Sequence, residues 1–426
     1  MTSVATWMSR AVGTRYGLIQ GCDEVPRHAG YPPLHISVAR GPRFVPGTGI
    51  RIDCDGTGVS RDPDTARVIA VAESIERYCA QMPPDGSLLR TACYTDLAGP
   101  AIHPDRFAGF SLDQVRANAS LGILTQDATT QWCVAHSVST GSNVLVPAPF
   151  VYRALQPQPP SFLPEGPVSG FACNATWADA AMSGLCEVLE RDSLSIMWHN
   201  TLPLIVLDPS NTMIEALLRE DLASTGLCFD LFRIPSDSPL PVVLAVASSK
   251  AEGGPAAVVG LGCRASAADA AEKAIYECFQ VLAWLEFYND DRPRAIREFH
   301  DHASLYASAY GGKLLRRHLK RGKEVQCLAA ESDRPVANGP RAFINAVRQL
   351  SASNREVLVT DITTADVQTL GMRVVKVTVP GALDIQGDPR HAQLGADRLY
   401  RVPANLGFLT DRSVPEGLNR LPVPLA

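Results

Sequence analysis

Short apolar runs alternate along this chain with Ala-rich segments whose apolar positions recur at helical spacing. Runs at 144–147, 239–248 (PLPVVLAVAS), 256–262, 356–361 and 373–379 (with VVKVTV at its centre) predict strands, and a weaker run at 50–54 predicts another. Ala-rich stretches at 64–80, 177–197 and 267–288 predict helices. The alternation predicts an α/β (α+β) fold in which helices cover the sheets. Residues 1–45, rich in Pro, Gly and His, are expected to form an irregular lead-in. The Pro/Gln-rich piece at 155–168 and the piece at 332–340 resemble linkers but are too short to separate domains. Residues 46–426 are therefore expected to form one large domain, which includes a Pro-rich tail at 413–426.

One spaced pattern occurs on all three predicted helices. An Ala is followed four positions on by a small residue, three further by Glu, and three further by Glu or Gln. The sets are Ala66, Ala70, Glu73, Glu76; Ala180, Gly184, Glu187, Glu190; and Ala270, Ala274, Glu277, Gln280. At about 100° per residue the four positions fall within an arc of about 120°. The small residues let that face approach another backbone closely, and the acidic or amide groups sit together at one end of the stripe. Gly- or Ser-bearing segments precede the helices at 55–58, 169–172 and 260–262. They are expected to be tight turns whose backbone N–H groups can face phosphate.

A Glu-x-x-Glu pair on a single helix is ordinarily a solvated face. Here the neighbours are apolar: Val71 and Ile75 around Glu73, and Leu185, Cys186, Val188 and Leu189 around Glu187. Buried carboxylates must be neutralised. Arg77 and Arg191 follow their pairs directly but project about 100° away, so they are expected to offset only part of the charge. Mg²⁺ suits carboxylate oxygens and usually shares its shell with substrate phosphates. The five carboxylates Glu73, Glu76, Glu187, Glu190 and Glu277 therefore predict a Mg-nucleotide site built from helices. No G-x-x-x-x-G-K-[ST] loop and no G-x-G-x-x-G after a strand occurs in the chain.

Charge narrows the function classes. The net charge is −5, and the densest basic stretch, Lys313 to Lys323, is read as a solvated helix face, which argues against nucleic acid as the main ligand. Eleven cysteines are scattered without any C-x-x-C pair, as expected of small core residues in a reducing cytoplasm. The N-terminus lacks the apolar stretch of a signal peptide, and no apolar run is long enough to span a membrane.

Gly56-Thr57-Gly58 with AxxxAxxExxER (66–77), SGFACNATWADAAMSGLCEVLERD (169–192) and GLGCRASAADAAEKAIYECFQ (260–280) resemble the three ordered signatures of the YcaO family. WCVAHSVSTGSNVLVPAPFVY (132–152), VVKVTVPGALDIQ (374–386) and GADRLYRVP (395–403) extend the resemblance to its thiazole/oxazole-forming branch. The resemblance implies ATP held through Mg²⁺ on Glu73, Glu76, Glu187, Glu190 and Glu277. Arg77, Ser169, Asn174, Arg191 and Gln280 are the candidate nucleotide contacts. It also implies that a Cys, Ser or Thr side chain of a ribosomally made precursor peptide attacks the preceding amide, whose oxygen is then phosphorylated and lost as phosphate. Relatives of this branch end in a Pro-x-Pro-x-Pro tail. Here Pro422 and Pro424 are kept and Ala426 replaces the last proline, so the Ala426 carboxylate is the candidate base. Thr57 stands where many relatives carry Lys, and Asn174 where Gly is common. No E1-like domain is fused to the chain, so a separate E1-like or leader-binding partner is expected, with a flavin dehydrogenase as a further candidate and a homodimer by analogy. The alternatives are the same site using an external nucleophile, to give a thioamide or amidine, and an ATP-binding scaffold without turnover.

Overall fold

The computed structural model describes the chain except for residues 1–3, 27–32, 46–48, 98, 156–159, 252, 288–295, 330–338, 409–416 and 426. Three sheets carry the described fold. The first is antiparallel and joins Gly21–Glu24 and His35–Arg40 to β1, Gly56–Ser60. The second has six strands. It runs Arg90–Ala92, Thr130–Ser137, Leu358–Asp361, Arg373–Thr378 and then β2, Phe171–Asn174, with Ser142–Pro147 paired to Thr130–Ser137. The third has five strands: β3 (Val258–Cys263), Val242–Ser249, Leu227–Arg233, Leu204–Asp208 and Arg321–Cys327, the last two parallel.

β1, β2 and β3 are each the outermost strand of their own sheet, and each leads directly into an acidic helix. These helices are α1 (Pro63–Gln81), α2 (Trp177–Asn200) and α3 (Ala267–Phe287). Their starts are capped. Asp62 accepts from Thr65 N at 2.8 Å with Pro63 in the first turn, Thr176 Oγ1 accepts from Asp179 N at 3.1 Å, and Ser266 Oγ accepts from Asp269 N at 3.1 Å.

The small residues of the stripe explain how a helix can lie on an edge strand. A Cβ added to Gly58 would fall 2.0 Å from Ala66 O, and one added to Gly56 2.2 Å from Ala70 O. In the third unit the corresponding distances are 2.0 Å from Gly262 to Ala270 O and 2.0 Å from Gly260 to Ala274 O. Strand and helix thus meet backbone to backbone. In the second unit the helical Gly184 allows the approach, its added Cβ lying 2.7 Å from Gly170 O.

Three apolar cores follow from this plan. α1 packs on one face of the six-stranded sheet, through Val71, Ile75, Leu358 and Val374. α2 fills the space between the other face, at Val375 and Val377, and the five-stranded sheet, at Leu244 and Leu261. α3 covers the far face of the five-stranded sheet, at Val243 and Ala245, and reaches Ile36 and Val59 of the first sheet. The three strand–helix units therefore close around a common centre.

The helices agree with the expectation from spacing to within a few residues at each end. Other expectations are corrected. Residues 50–54 form only an isolated bridge, Arg51 to Phe44, because their polar, Asp-rich flank has no partner strand. Residues 56–58 are a strand rather than a turn, and at 260–262 the strand expected over 256–262 holds where a turn was also expected. Residues 21–24 and 35–40, expected to be irregular, are paired strands, and Val4–Ala11 is helical. All eleven cysteines are free thiols. No helix among the described residues is long and apolar enough to cross a membrane.

The C-terminal segment is held inside the fold by its main chain. His199 Nδ1 lies 2.8 Å from Asn419 O, Trp198 Nε1 donates to Leu421 O at 2.9 Å, Tyr306 OH to Pro422 O at 2.5 Å, and His302 Nδ1 lies 2.9 Å from Val423 O. Val423 and Leu425 are buried, and Leu425 lines a small cavity together with Val258, Val259 and Val281, beside β3 and α3. Ala426 lies outside the described residues.

Candidate active site

The same contact is built three times. The first Glu of each stripe accepts a hydrogen bond from the strand that precedes its helix. Thr57 N donates to Glu73 Oε2 at 2.6 Å, Gly170 N to Glu187 Oε2 at 2.7 Å, and Leu261 N to Glu277 Oε2 at 2.6 Å. The backbone N–H groups of these glycine-rich segments, expected to face phosphate, are turned on carboxylates instead. Each first Glu is thereby aimed toward the centre.

Cations complete each unit. Arg77 Nη2 meets Glu73 Oε1 at 2.6 Å and Arg191 Nη2 meets Glu187 Oε1 at 2.9 Å, both at i, i+4. The arginines project away from the adjacent Glu but reach back one turn to the first. Lys273 Nζ bonds both oxygens of Glu190, at 3.0 and 2.9 Å, and Leu261 O at 2.9 Å. This ties α3 to α2, and Glu190 is only 3% exposed. Gln280 Nε2 donates to Thr57 O at 2.9 Å and so ties α3 to β1.

The electrostatics show that the helices converge. Burial, followed by the charges of Glu187 and Glu73, pushes Glu76 well above the usual carboxylate range. Burial also raises Glu187 and Glu277, and for both Glu190 adds to the effect. Burial works against the charge of Arg191, but Glu187, Asp384, Glu190 and Glu277 outweigh it and hold its pKa above the ordinary value. Glu73, Glu76, Glu187, Glu190 and Glu277 thus form one acidic pocket with Arg77, Arg191 and Gln280 among them.

No three His, Cys, Asp or Glu side chains among the described residues are arranged as a ready-made metal cage. Mg²⁺ does not require one, because it commonly takes one or two carboxylates and completes its shell with waters and phosphates. Glu76, raised by burial and by the neighbouring carboxylates Glu187 and Glu73, is a site that a cation would relieve. The donor set therefore fits Mg-nucleotide.

The loop before β2 forms one wall. Ser169 Oγ donates to Asp384 and also accepts from Arg191 Nη1 at 3.3 Å. Asn174 ends β2, where its side chain accepts from Ala175 N at 2.7 Å, so it serves a local turn. Two lysines at the site were not singled out from the sequence. Lys273 stands four residues before Glu277, a spacing that could have flagged it. Lys376 is the one charge among the buried residues of its strand, between Val375 and Val377. It is 4% exposed, donates to Ser169 O and lies 4.8 Å from the centre of the Phe171 ring.

The model of the YcaO family, described as YcaO cyclodehydratase, ATP- and Mg²⁺-binding, matches residues 57–383. A protein of Methanothermobacter thermautotrophicus, itself uncharacterized, is 26% identical over 348 residues, covering 78% of this chain and 82% of its own. Among solved structures, the chain is similar to a heterocyclase in complex with substrate and cofactor, at 20% identity and a TM-score of 0.80 over 99% of this chain and 57% of that one. It is also similar to the heterocyclase TruD, at 21% identity and a TM-score of 0.67, covering 85% of this chain and 52% of that one. YcaO from Methanopyrus kandleri, bound with AMPPCP and Mg²⁺, matches at 21% identity and a TM-score of 0.65, covering 85% of this chain and 86% of that one. The chain thus spans little more than half the length of the two heterocyclases, and at these identities the likeness concerns the fold.

Proposed function

This chain belongs to the YcaO family, and from that premise we propose that it is an ATP-dependent cyclodehydratase forming azolines in a ribosomally made precursor peptide. ATP and Mg²⁺ are the family's cofactors. The observation that carries the proposal is the threefold strand-to-Glu contact, which turns carboxylates of three helices into one pocket.

Bound Mg-ATP supplies the chemistry of converting an amide oxygen, a poor leaving group, into a phosphate ester. The residues of the chain do the rest. Glu73, Glu76, Glu187, Glu190 and Glu277 hold the metal–phosphate charge. Arg77 and Arg191 hold Glu73 and Glu187 in place and neutralise part of the remaining phosphate charge. A Cys, Ser or Thr side chain of the peptide is the nucleophile, so the protein contributes position and charge rather than a nucleophile of its own.

The buried tail supports the azoline branch, since Pro422 to Leu425 are fixed beside β3 and α3, the strand and helix that carry Leu261 and Glu277. In this proposal the Ala426 carboxylate is the base. A separate E1-like or leader-binding protein delivers the peptide in the cytoplasm, the active form is a homodimer, and a flavin dehydrogenase acts afterwards.

The test is Glu187→Gln and Glu190→Gln. Each is expected to keep the fold by circular dichroism and to abolish peptide-dependent ATP hydrolysis. Wild-type turnover in either variant refutes the site. Mass spectrometry of the product separates the chemistries: loss of one water per modified residue supports azoline, whereas exchange of oxygen for sulfur refutes it in favour of a thioamide.

A further inference from the structure

Beside the acidic pocket lies a cleft of about 450 Å³, its open mouth included, at the end of the strand Arg373–Thr378. Ser169 and Val188 belong to its lining, so it adjoins the loop and helix that carry Glu187. Its walls are apolar: the Phe107 and Phe150 rings, stacked at 4.5 Å, with Leu163 and Val379. Its polar groups lie on one side. Asp384 is already committed, accepting from Ser169 Oγ, from Val168 N at 3.0 Å and from Ile385 N at 2.9 Å. Gln393 is committed to Asp384 N at 2.8 Å and to Ala108 O at 3.3 Å.

Two groups retain capacity. Thr378 Oγ1 is buried without a hydrogen-bond partner. Among the described residues Lys376 Nζ has one hydrogen bond, to Ser169 O, and an ammonium carries three donors. An apolar cleft with two open polar groups at one end, next to a nucleotide pocket, has the composition of a subsite for a neutral peptide segment.

We propose that this cleft holds the peptide segment carrying the amide to be activated, and that Lys376 donates to the oxygen of that amide. This rests on the amide-activating function proposed above. When the peptide nucleophile attacks, the new bond forms at the carbonyl carbon and the C=O π pair moves to the oxygen. That oxygen then bonds to the γ-phosphorus of ATP as the bond from phosphorus to the ADP oxygen breaks. The nucleophile's proton leaves to the surrounding base, and later the amide nitrogen loses its proton as the C–O bond to phosphate breaks. Lys376 meets the oxygen while it carries charge, so its contribution is larger in the transition state than with bound peptide. Thr378 Oγ1 is placed to hydrogen-bond the adjoining backbone.

The experiment uses the full chain together with its E1-like or leader-binding partner, Mg-ATP, and a library of leader-bearing Cys-, Ser- and Thr-containing peptides screened for ATP-dependent loss of water. On a peptide that the wild type modifies, Lys376→Met is expected to lower kcat by about 100-fold, with KM for the peptide and Kd for Mg-ATP within about threefold of wild type. Lys376→Arg, which keeps the charge, is expected to recover at least tenfold of that loss. Leu163→Trp, which narrows the cleft, is expected to raise the peptide KM without changing Kd for Mg-ATP. Unchanged kcat in Lys376→Met overturns the inference alone, as does a parallel loss of Mg-ATP binding, which would make Lys376 a structural or nucleotide residue. A wild type that modifies no peptide in the library overturns the amide-activating function and this inference together.

Discussion

Lys273→Met isolates what holds α2 and α3 together. Glu190 is 3% exposed, and both of its oxygens are bonded to Lys273 Nζ at 3.0 and 2.9 Å. Removing the ammonium leaves a buried carboxylate without its counter-charge, which costs about 3–5 kcal/mol. The Lys273 side chain is 30% exposed, so water can partly replace it and the lower end of that range is expected. For 426 residues the unfolding entropy is about 0.9 kcal/mol per kelvin, so the loss corresponds to a fall in Tm of about 3–5 °C. Differential scanning fluorimetry and urea titration of the protein without nucleotide measure it. Glu190→Gln in the Lys273→Met background removes the stranded charge and should recover at least half of the loss. Mg-ATP at about 100 times its Kd should add about 2.7 kcal/mol to the wild type, and at least as much to Lys273→Met, in which Glu190 is free for the metal. A Lys273→Met protein within about 1 kcal/mol of wild type, or a double variant no better than the single one, would refute the account of this pair.

Gly58→Ala should destabilise the fold by about 1–3 kcal/mol or more and weaken Mg-ATP binding, because its Cβ would sit 2.0 Å from Ala66 O and push β1 off α1. Gly86→Ala, where a Cβ meets nothing within 4 Å, is the control, and equal effects in calorimetry would count against the close-packing account. Tyr306→Phe leaves the buried Pro422 carbonyl unpaired and should cost about 1–3 kcal/mol. Limited proteolysis should then release the tail earlier than in wild type, and unchanged protection would exclude a clamp. Burial pushes Lys376 from 10.5 down to about 8. A charged Lys376 therefore costs stability below pH 8, and the cost fades as pH rises toward 10.5. Wild-type stability relative to Lys376→Met should accordingly improve across that window, by at most about 1.36 kcal/mol per pH unit. Parallel urea midpoints from pH 7.5 to 9.5 would contradict it.

The three helices were legible because their apolar and small positions recur at helical spacing, and their acidic ends could be traced to one face without knowing what surrounded them. Of the strands before them only 256–262 was also read as a strand; 56–58 and 169–172 were read as turns. Gly56, Gly58, Gly260 and Gly262 look like turn chemistry in one dimension, since glycine is unfavourable in a strand unless another backbone lies against it. That backbone belongs to α1 and α3, which is a tertiary fact. Arg77 and Arg191 were judged by their angle to the adjacent Glu. A helical side chain leans toward the preceding turn, so each arginine meets the Glu four residues earlier. Lys376 was hidden in a strand whose apolar character set its interpretation, and the cleft it lines depends on the 107–108, 150 and 163 segments, which are far apart in the chain. The early strands were missed because Pro, Gly and His obscure the alternation that β1 completes by pairing.

The way the C-terminal segment is fastened has a consequence for how its sequence can drift. Four side chains, His199, Trp198, Tyr306 and His302, grip carbonyl oxygens of residues 419, 421, 422 and 423. Carbonyls are common to every amino acid, so this grip is blind to spelling and sensitive to counting. Replacing one letter between these positions leaves the grip in place, whereas inserting or deleting one shifts every later residue against fixed hooks and moves the end of the chain by about 3.3 Å.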